Sequence, residues 1–149
     1  MDHSWKVLAL SIGGVLGVNA RYWLGHWMNQ WASPKFPWAT FTINVSGSFA
    51  IGFLTILLTR WLPHPNARLF LITGLLGGYT TFSAYSFESL SLWERGDRWD
   101  AFAYVFGSVF AGLLAVTFGV ALARYVAPEV NEHAVVAASG PGPGEEERV

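Results

Sequence analysis

Residues 73–86 read TGLLGGYTTFSAYS, and the fold turns on how this run is read. Gly74, Gly77 and Gly78 are followed at once by Thr80 and Thr81. Glycine is a poor helix former, and threonine hydroxyls compete for backbone hydrogen bonds, so a helix interrupted in its middle is expected here. The surrounding segment, 69–87, is otherwise apolar and close to the roughly 20 residues that cross about 30 Å of hydrocarbon. In hydrocarbon, backbone groups freed by an interruption are tolerated only where protein, water or an ion satisfies them. The carbonyls of Gly77 and Thr80 are therefore candidate ligands for a hard cation. Close helix packing through Gly74-xxx-Gly78, with no ion, accounts for the same glycines equally well.

Three further stretches have the length and composition of membrane spans: about 7–28, 37–59 and 101–123. The last two contain no Asp, Glu, Lys or Arg, and the first is interrupted by Arg21. With 149 residues, 52% apolar and only 13% charged, the chain is expected to be an all-α integral membrane protein of four transmembrane helices. Trp5, Trp27, Trp31, Trp38, Trp61, Trp93 and Trp99 fall at or near the span ends, where an amphipathic indole prefers the headgroup layer. A secretory signal over Lys6–Ala20 is a weaker reading, because Gly13, Gly14, Gly17 and Asn19 dilute its apolar run. The chain has no cysteine, which excludes disulfides and thiol catalysis, and its four histidines show no ligand spacing. No nucleophile, base and orienter can be assembled, so no enzyme is expected, and no nucleic-acid partner.

Domain organisation is correspondingly simple. A membrane domain over 1–128 is followed by a polar tail, 129–149, ending GPGPGEEERV, which has too little apolar surface to order itself. Short connections punctuated by Pro34, Pro37, Pro63 and Pro65 force neighbouring helices antiparallel. One membrane face would receive Lys6, Arg60, Arg68, Arg124 and Arg148, and the other Arg21, Lys35, Arg95 and Arg98. That is no bias, so the chain can insert both ways and two copies can form a dual-topology antiparallel homodimer. Orientation fixed by insertion order is the alternative.

Polar residues recur at helical spacing within the spans. Thr40, Asn44 and Ser48 form one row; Phe82, Tyr85, Ser86 and Ser89 form a second; Tyr104 and Ser108 a third. Asn44 lies near the bilayer middle, where an unpaired amide is costly and must face a neighbour or a wet cavity. It serves as interhelical glue or as a pore donor. Aromatic ring edges are electropositive and can favour a small anion that has shed some water, although aromatics in such helices are commonly lipid or core contacts. No carboxylate sits near the middle of any span; Glu88 lies toward the end of the third. A cation or proton carrier usually needs such a charge, so the lining suits an anion better. Arg21 can draw anions toward a vestibule or snorkel to the interface.

GGVLGVNARY at 13–22, NVSGSFAIG at 44–52 and GLLGGYTTFSAYSFE at 74–88 together resemble the Fluc or CrcB fluoride channels, over roughly residues 5–126. The resemblance implies a dual-topology homodimer with two antiparallel fluoride pathways, and a structural sodium ion, not itself transported, held by backbone carbonyls of both broken third helices. Gly77 and Thr80 match the sodium positions, Asn44 the pore asparagine and Phe82 the first pathway aromatic. Tyr104 and Ser108 look like the polar residues of the fourth helix, and Arg21 like the vestibule arginine. Thr81, Ser83, Tyr85 and Ser86 complete the expected pathway. At the second aromatic position the family generally has phenylalanine, whereas this chain has Tyr85. The implied function is passive, selective fluoride export across a prokaryotic plasma membrane. A small multidrug-type exporter would need a carboxylate in its first span, and none is there. A nonconducting scaffold packed through small residues is the other alternative.

Overall fold

A computed structural model describes residues 3–33 and 35–128. The expected tail, 129–149, lies outside the described residues. Among the described residues all regular structure is helical: α1 (His3–Trp31), α2 (Trp38–Trp61), α3 (Pro65–Arg68), a π-helical segment (Leu69–Leu76), α4 (Gly77–Tyr79), α5 (Phe82–Glu94) and α6 (Arg98–Val126). α1, α2 and α6, of 29, 24 and 29 residues, are each long and apolar enough to cross a membrane. At 1.5 Å per residue they run about 36 to 44 Å, so each overruns the apolar stretch read from the sequence into the headgroup layer.

The glycine run corrects the expectation placed on it. Leu76 and Gly77 keep right-handed helical angles, Gly77 with φ −64° and ψ −36°, and the helix continues through Tyr79. Only Thr80 (φ −82°, ψ 158°) and Thr81 (φ −150°, ψ 116°) are extended, and helix resumes at Phe82. The glycines bring two backbones together instead. A Cβ on Gly74 would lie 3.1 Å from the Gly13 Cα, and one on Gly78 would lie 2.7 Å from the Gly14 carbonyl oxygen. On the facing helix a Cβ at Gly17 would collide with the Leu75 carbonyl. Lipid is as apolar as leucine, so helices in a bilayer gain little from burying apolar groups and gain instead from close van der Waals contact. Small residues on both sides permit that contact.

The outer surface is apolar. Phe102, Phe106, Phe110, Leu113 and Phe118 of α6 are exposed, while Tyr104 and Leu92 are fully buried with Ala101 in a small core. α2 and α6 share the longest interface, α1 packs on the π segment and α4, and α5 packs on α6. The turn between α5 and α6 is tight. Gly96 takes φ 86°, its N–H donates to the Trp93 carbonyl (3.1 Å), and the Asp97 N–H donates to the Leu92 carbonyl (3.1 Å). This is a Schellman ending, which satisfies carbonyls that a helix end would leave bare and sends α6 back along α5.

Gly17→Ala is expected to lower the thermal unfolding midpoint in detergent, at a cost of about 2 kcal/mol or more, because the added methyl meets backbone that cannot yield. Gly25→Ala is the control. Its Cβ would rest 3.9 Å from the Ile43 side chain, an ordinary contact, and its midpoint should be unchanged or slightly raised.

Candidate functional site

The interruption at Thr80 and Thr81 is held by one side chain from α2. Asn44 Oδ1 accepts the Thr81 N–H at 2.9 Å, and Asn44 Nδ2 donates to the Thr81 carbonyl at 3.0 Å. A single amide thus pairs both backbone groups of an extended residue, as a neighbouring strand would. Thr81 also caps α5, its Oγ1 accepting the Ala84 N–H at 3.2 Å. Gly47 of α2 leaves room for the adjoining residue, since a Cβ there would collide with Thr80 Cγ2.

These diversions free two carbonyls. In a continuous helix the Thr81 N–H would donate to Gly77, and the Ala84 N–H to Thr80. Both donors go elsewhere, to Asn44 and to the Thr81 hydroxyl. The Thr80 carbonyl instead accepts Arg21 Nη1 at 3.4 Å. The carbonyls that local sequence marked as candidate cation ligands are the ones released, although the threonines release them and the glycines do not.

A cavity of about 360 Å³ adjoins the interruption, lined by Asn44, Gly77, Thr80, Thr81, Phe82, Tyr85 and Ser108 among others. Ser108 Oγ is buried and has no hydrogen-bond partner among the described residues. The Phe82 and Tyr85 rings stand 5.6 Å apart, and Phe82 is 79% exposed, so this cavity opens on the outside of a single chain. Tyr85 donates its hydroxyl to the Val105 carbonyl of α6 at 3.0 Å.

A second cavity, about 420 Å³, is lined by Arg21, His26, Thr40, Thr81, Ala84 and Glu88 among others. Thr81 belongs to both cavities. Glu88 accepts from Thr40 Oγ1 at 2.8 Å through Oε1 and from the Tyr104 hydroxyl at 2.6 Å through Oε2. Its carboxylate therefore ties α2, α5 and α6 at one point.

Not every expected residue reaches the first cavity. Tyr104 is fully buried in the core with its hydroxyl on Glu88. Ser86 Oγ donates to the Phe82 carbonyl of its own helix (2.9 Å), and Ser83 Oγ pairs with Thr81 Oγ1 (3.2 Å); both bonds are solvent-side in the single chain. Arg21 lies in the second cavity. Thr40 and Glu88 were not among the expected site residues. The available signals were the place of Thr40 in the Asn44 row and the fact that Glu88 is the one acidic residue of its apolar segment.

With this geometry in place, comparison with known proteins is decisive. Residues 8–120 match the family described as CrcB-like protein, Camphor Resistance (CrcB). The chain belongs to the CrcB family. It is 48% identical over 125 residues to the fluoride-specific ion channel FluC of Rhizobium meliloti (strain 1021), covering 83% of this chain and 98% of that one. It is 44% identical over 121 residues to FluC of Nitrobacter winogradskyi, covering 80% of this chain and 96% of that one. FluC of Chloroflexus aurantiacus (strain ATCC 29366 / DSM 635 / J-10-fl) is also 44% identical over 121 residues. CrcB proteins are ion-channel proteins and not enzymes, and this CrcB chain is a multi-pass membrane protein, in bacteria of the plasma membrane.

Because Asn44 pairs both backbone groups of an extended residue within an apolar segment, Asn44→Ala should cost about 2 to 4 kcal/mol, seen as a large fall in thermal midpoint. Thr117→Ala removes an exposed hydroxyl bonded to the Leu113 carbonyl of its own helix, and should cost less than about 1 kcal/mol.

Proposed function

We propose that the chain is a passive, fluoride-selective channel that lets fluoride leave the cell. The observation that carries this reading is the buried, unpartnered Ser108 hydroxyl in a cavity shared with Asn44, Phe82 and Tyr85. Fluoride is small and strongly hydrated. A selective pore must replace its water with converging donors yet avoid a full positive charge that would trap it. Ser108 supplies a hydroxyl with nothing else to bind. Phe82 and Tyr85 supply ring edges, and Asn44 Nδ2 has a second hydrogen beyond the one spent on Thr81. The FluC names of relatives 44 to 48% identical support the same choice of ion.

In this reading the segment from Pro65 through Glu94 is the third of four spans, broken at Thr80 and Thr81. Two antiparallel copies make the channel. The exposure of Phe82 in a single chain fits a cavity that a second copy completes. The Gly77 and Thr80 carbonyls suit a structural sodium ion at the centre, being neutral, hard oxygens released from helical bonding. One chain offers two of them, and two antiparallel copies offer four. A sodium ion there would hold the two interruptions together and would not be transported. Ser83, Ser86 and Tyr104 act as neighbours of the pathway: Tyr104 holds Glu88, Ser83 bonds the hydroxyl of the capping Thr81, and Ser86 bonds the Phe82 carbonyl of its own helix. Arg21 and Glu88 shape the charge of the vestibule.

Liposomes loaded with potassium fluoride and carrying the purified protein should release fluoride, with chloride release at least about a hundredfold slower, which corresponds to roughly 2.8 kcal/mol of discrimination. Comparable chloride efflux would defeat selectivity, and absence of fluoride efflux would defeat the channel. Ser108→Ala should slow fluoride release by about tenfold or more, corresponding to the loss of one donor. Tyr85→Phe should keep selective fluoride release, since the hydroxyl it loses is spent on Val105, while costing about 1 kcal/mol in stability.

A further inference from the structure

The Thr80 carbonyl carries a contact that no part of the channel reading uses. Arg21 Nη1 donates to it at 3.4 Å from α1, 59 positions away in sequence. The guanidinium is part-buried and makes no ion pair among the described residues, so this carbonyl is its polar anchor. It also lines the 420 Å³ cavity opposite the Glu88 carboxylate, which is already bonded to Thr40 and Tyr104. A carbonyl oxygen has two acceptor positions, so an arginine and a metal ion can both address it. They cannot do so without cost, because two positive charges a few ångströms apart repel strongly where water is scarce.

We propose that Arg21 and the central sodium ion compete for the Thr80 carbonyl, so that a cation bound at the interruption displaces the guanidinium from that oxygen and leaves it wholly to the vestibule cavity it already lines. The inference rests on the sodium reading given above. It makes Arg21 a positioning residue whose charge opposes the cation, and its contact with Thr80 is the one that a bound cation weakens. Cation occupancy is thereby linked to the freedom of the guanidinium in the vestibule.

The test reads sodium binding without flux. The thermal unfolding midpoint of the purified full-length protein is followed against sodium chloride, with N-methyl-D-glucamine chloride holding ionic strength constant. Sodium should stabilise the wild type, and Arg21→Gln should reach half its stabilisation at a sodium concentration on the order of tenfold lower, the scale expected for removing one neighbouring charge. Arg21→Lys, which keeps the charge, should stay near the wild-type concentration. Equal sodium dependence in wild type and Arg21→Gln overturns the competition while leaving the sodium site standing. No stabilisation of the wild type by sodium overturns the sodium reading, and the competition with it. A second measurement needs no variant. Modification of wild-type Arg21 by phenylglyoxal, read by mass spectrometry on the peptide containing it and normalised to Arg124, should be several-fold faster in sodium than in N-methyl-D-glucamine. An unchanged ratio overturns the proposal.

Discussion

A peptide group without a partner cannot be left in hydrocarbon, and the pairing of Asn44 with Thr81 is how this chain meets that constraint. Without it, the extended Thr81 inside an apolar segment would carry an unsatisfied donor and acceptor, at a cost of several kcal/mol. With it, the chain leaves the helix for two residues at little cost, and two consequences follow together. The Gly77 and Thr80 carbonyls lose their helical donors, and α5 restarts with Phe82 and Tyr85 turned toward the same cavity as Ser108. One amide thus supports both the released carbonyls and the aromatic wall of the cavity, and carbonyl oxygens and ring edges present opposite partial charges a residue or two apart.

The rest of the bundle keeps that arrangement in register. Glycines of α1 and of the π and α4 segments let the two backbones touch, which fixes the height of the interruption along α1. Glu88 then fixes α5 to α2 and α6 through two short bonds, 2.8 and 2.6 Å, from Thr40 and Tyr104. A carboxylate in an apolar segment is costly unless its lone pairs are used, and here two donors from different helices use them. The eight-residue π segment is separated from the interruption only by the short α4, a placement wide turns frequently have near functional sites. Packing, not propensity, therefore decides where the helix stops.

Much of this was legible in the sequence, and what was not has a physical reason. Long apolar runs, two of them uncharged and one interrupted by Arg21, announced α1, α2 and α6 because hydrocarbon demands apolar length and little else. Asn44 stood out as an amide in a charge-free span, and its need for a partner was plain, though its partner was 37 positions away and outside any periodic pattern. The glycines misled, because low helix propensity and close helix packing leave the same signature; in the bundle, contact with α1 wins over the fraction of a kcal/mol that each glycine costs. Ser83 and Ser86 looked like pathway donors, but hydroxyls on a helix readily bond neighbouring groups of their own segment, and these do. Tyr104 sat in a polar row yet is fully buried, with its hydroxyl drawn to Glu88.

Tyr85 shows how one atom changes the meaning of a position. A hydroxyl at this position can donate to an anion or bind the protein and set the orientation of the ring. The hydroxyl donates to the Val105 carbonyl at 3.0 Å, which directs it away from the cavity and onto the backbone of α6. The ring lines the cavity, as a phenylalanine ring would, with its centroid 5.6 Å from Phe82 and 5.3 Å from Tyr104. Tyrosine therefore keeps the electropositive edge and adds a tether that holds it in one orientation. A hydroxyl satisfied by protein is a weak competitor for water, so the added oxygen does not wet the cavity. The substitution that appears most disruptive to an anion path is, in this packing, a more rigid version of the same wall.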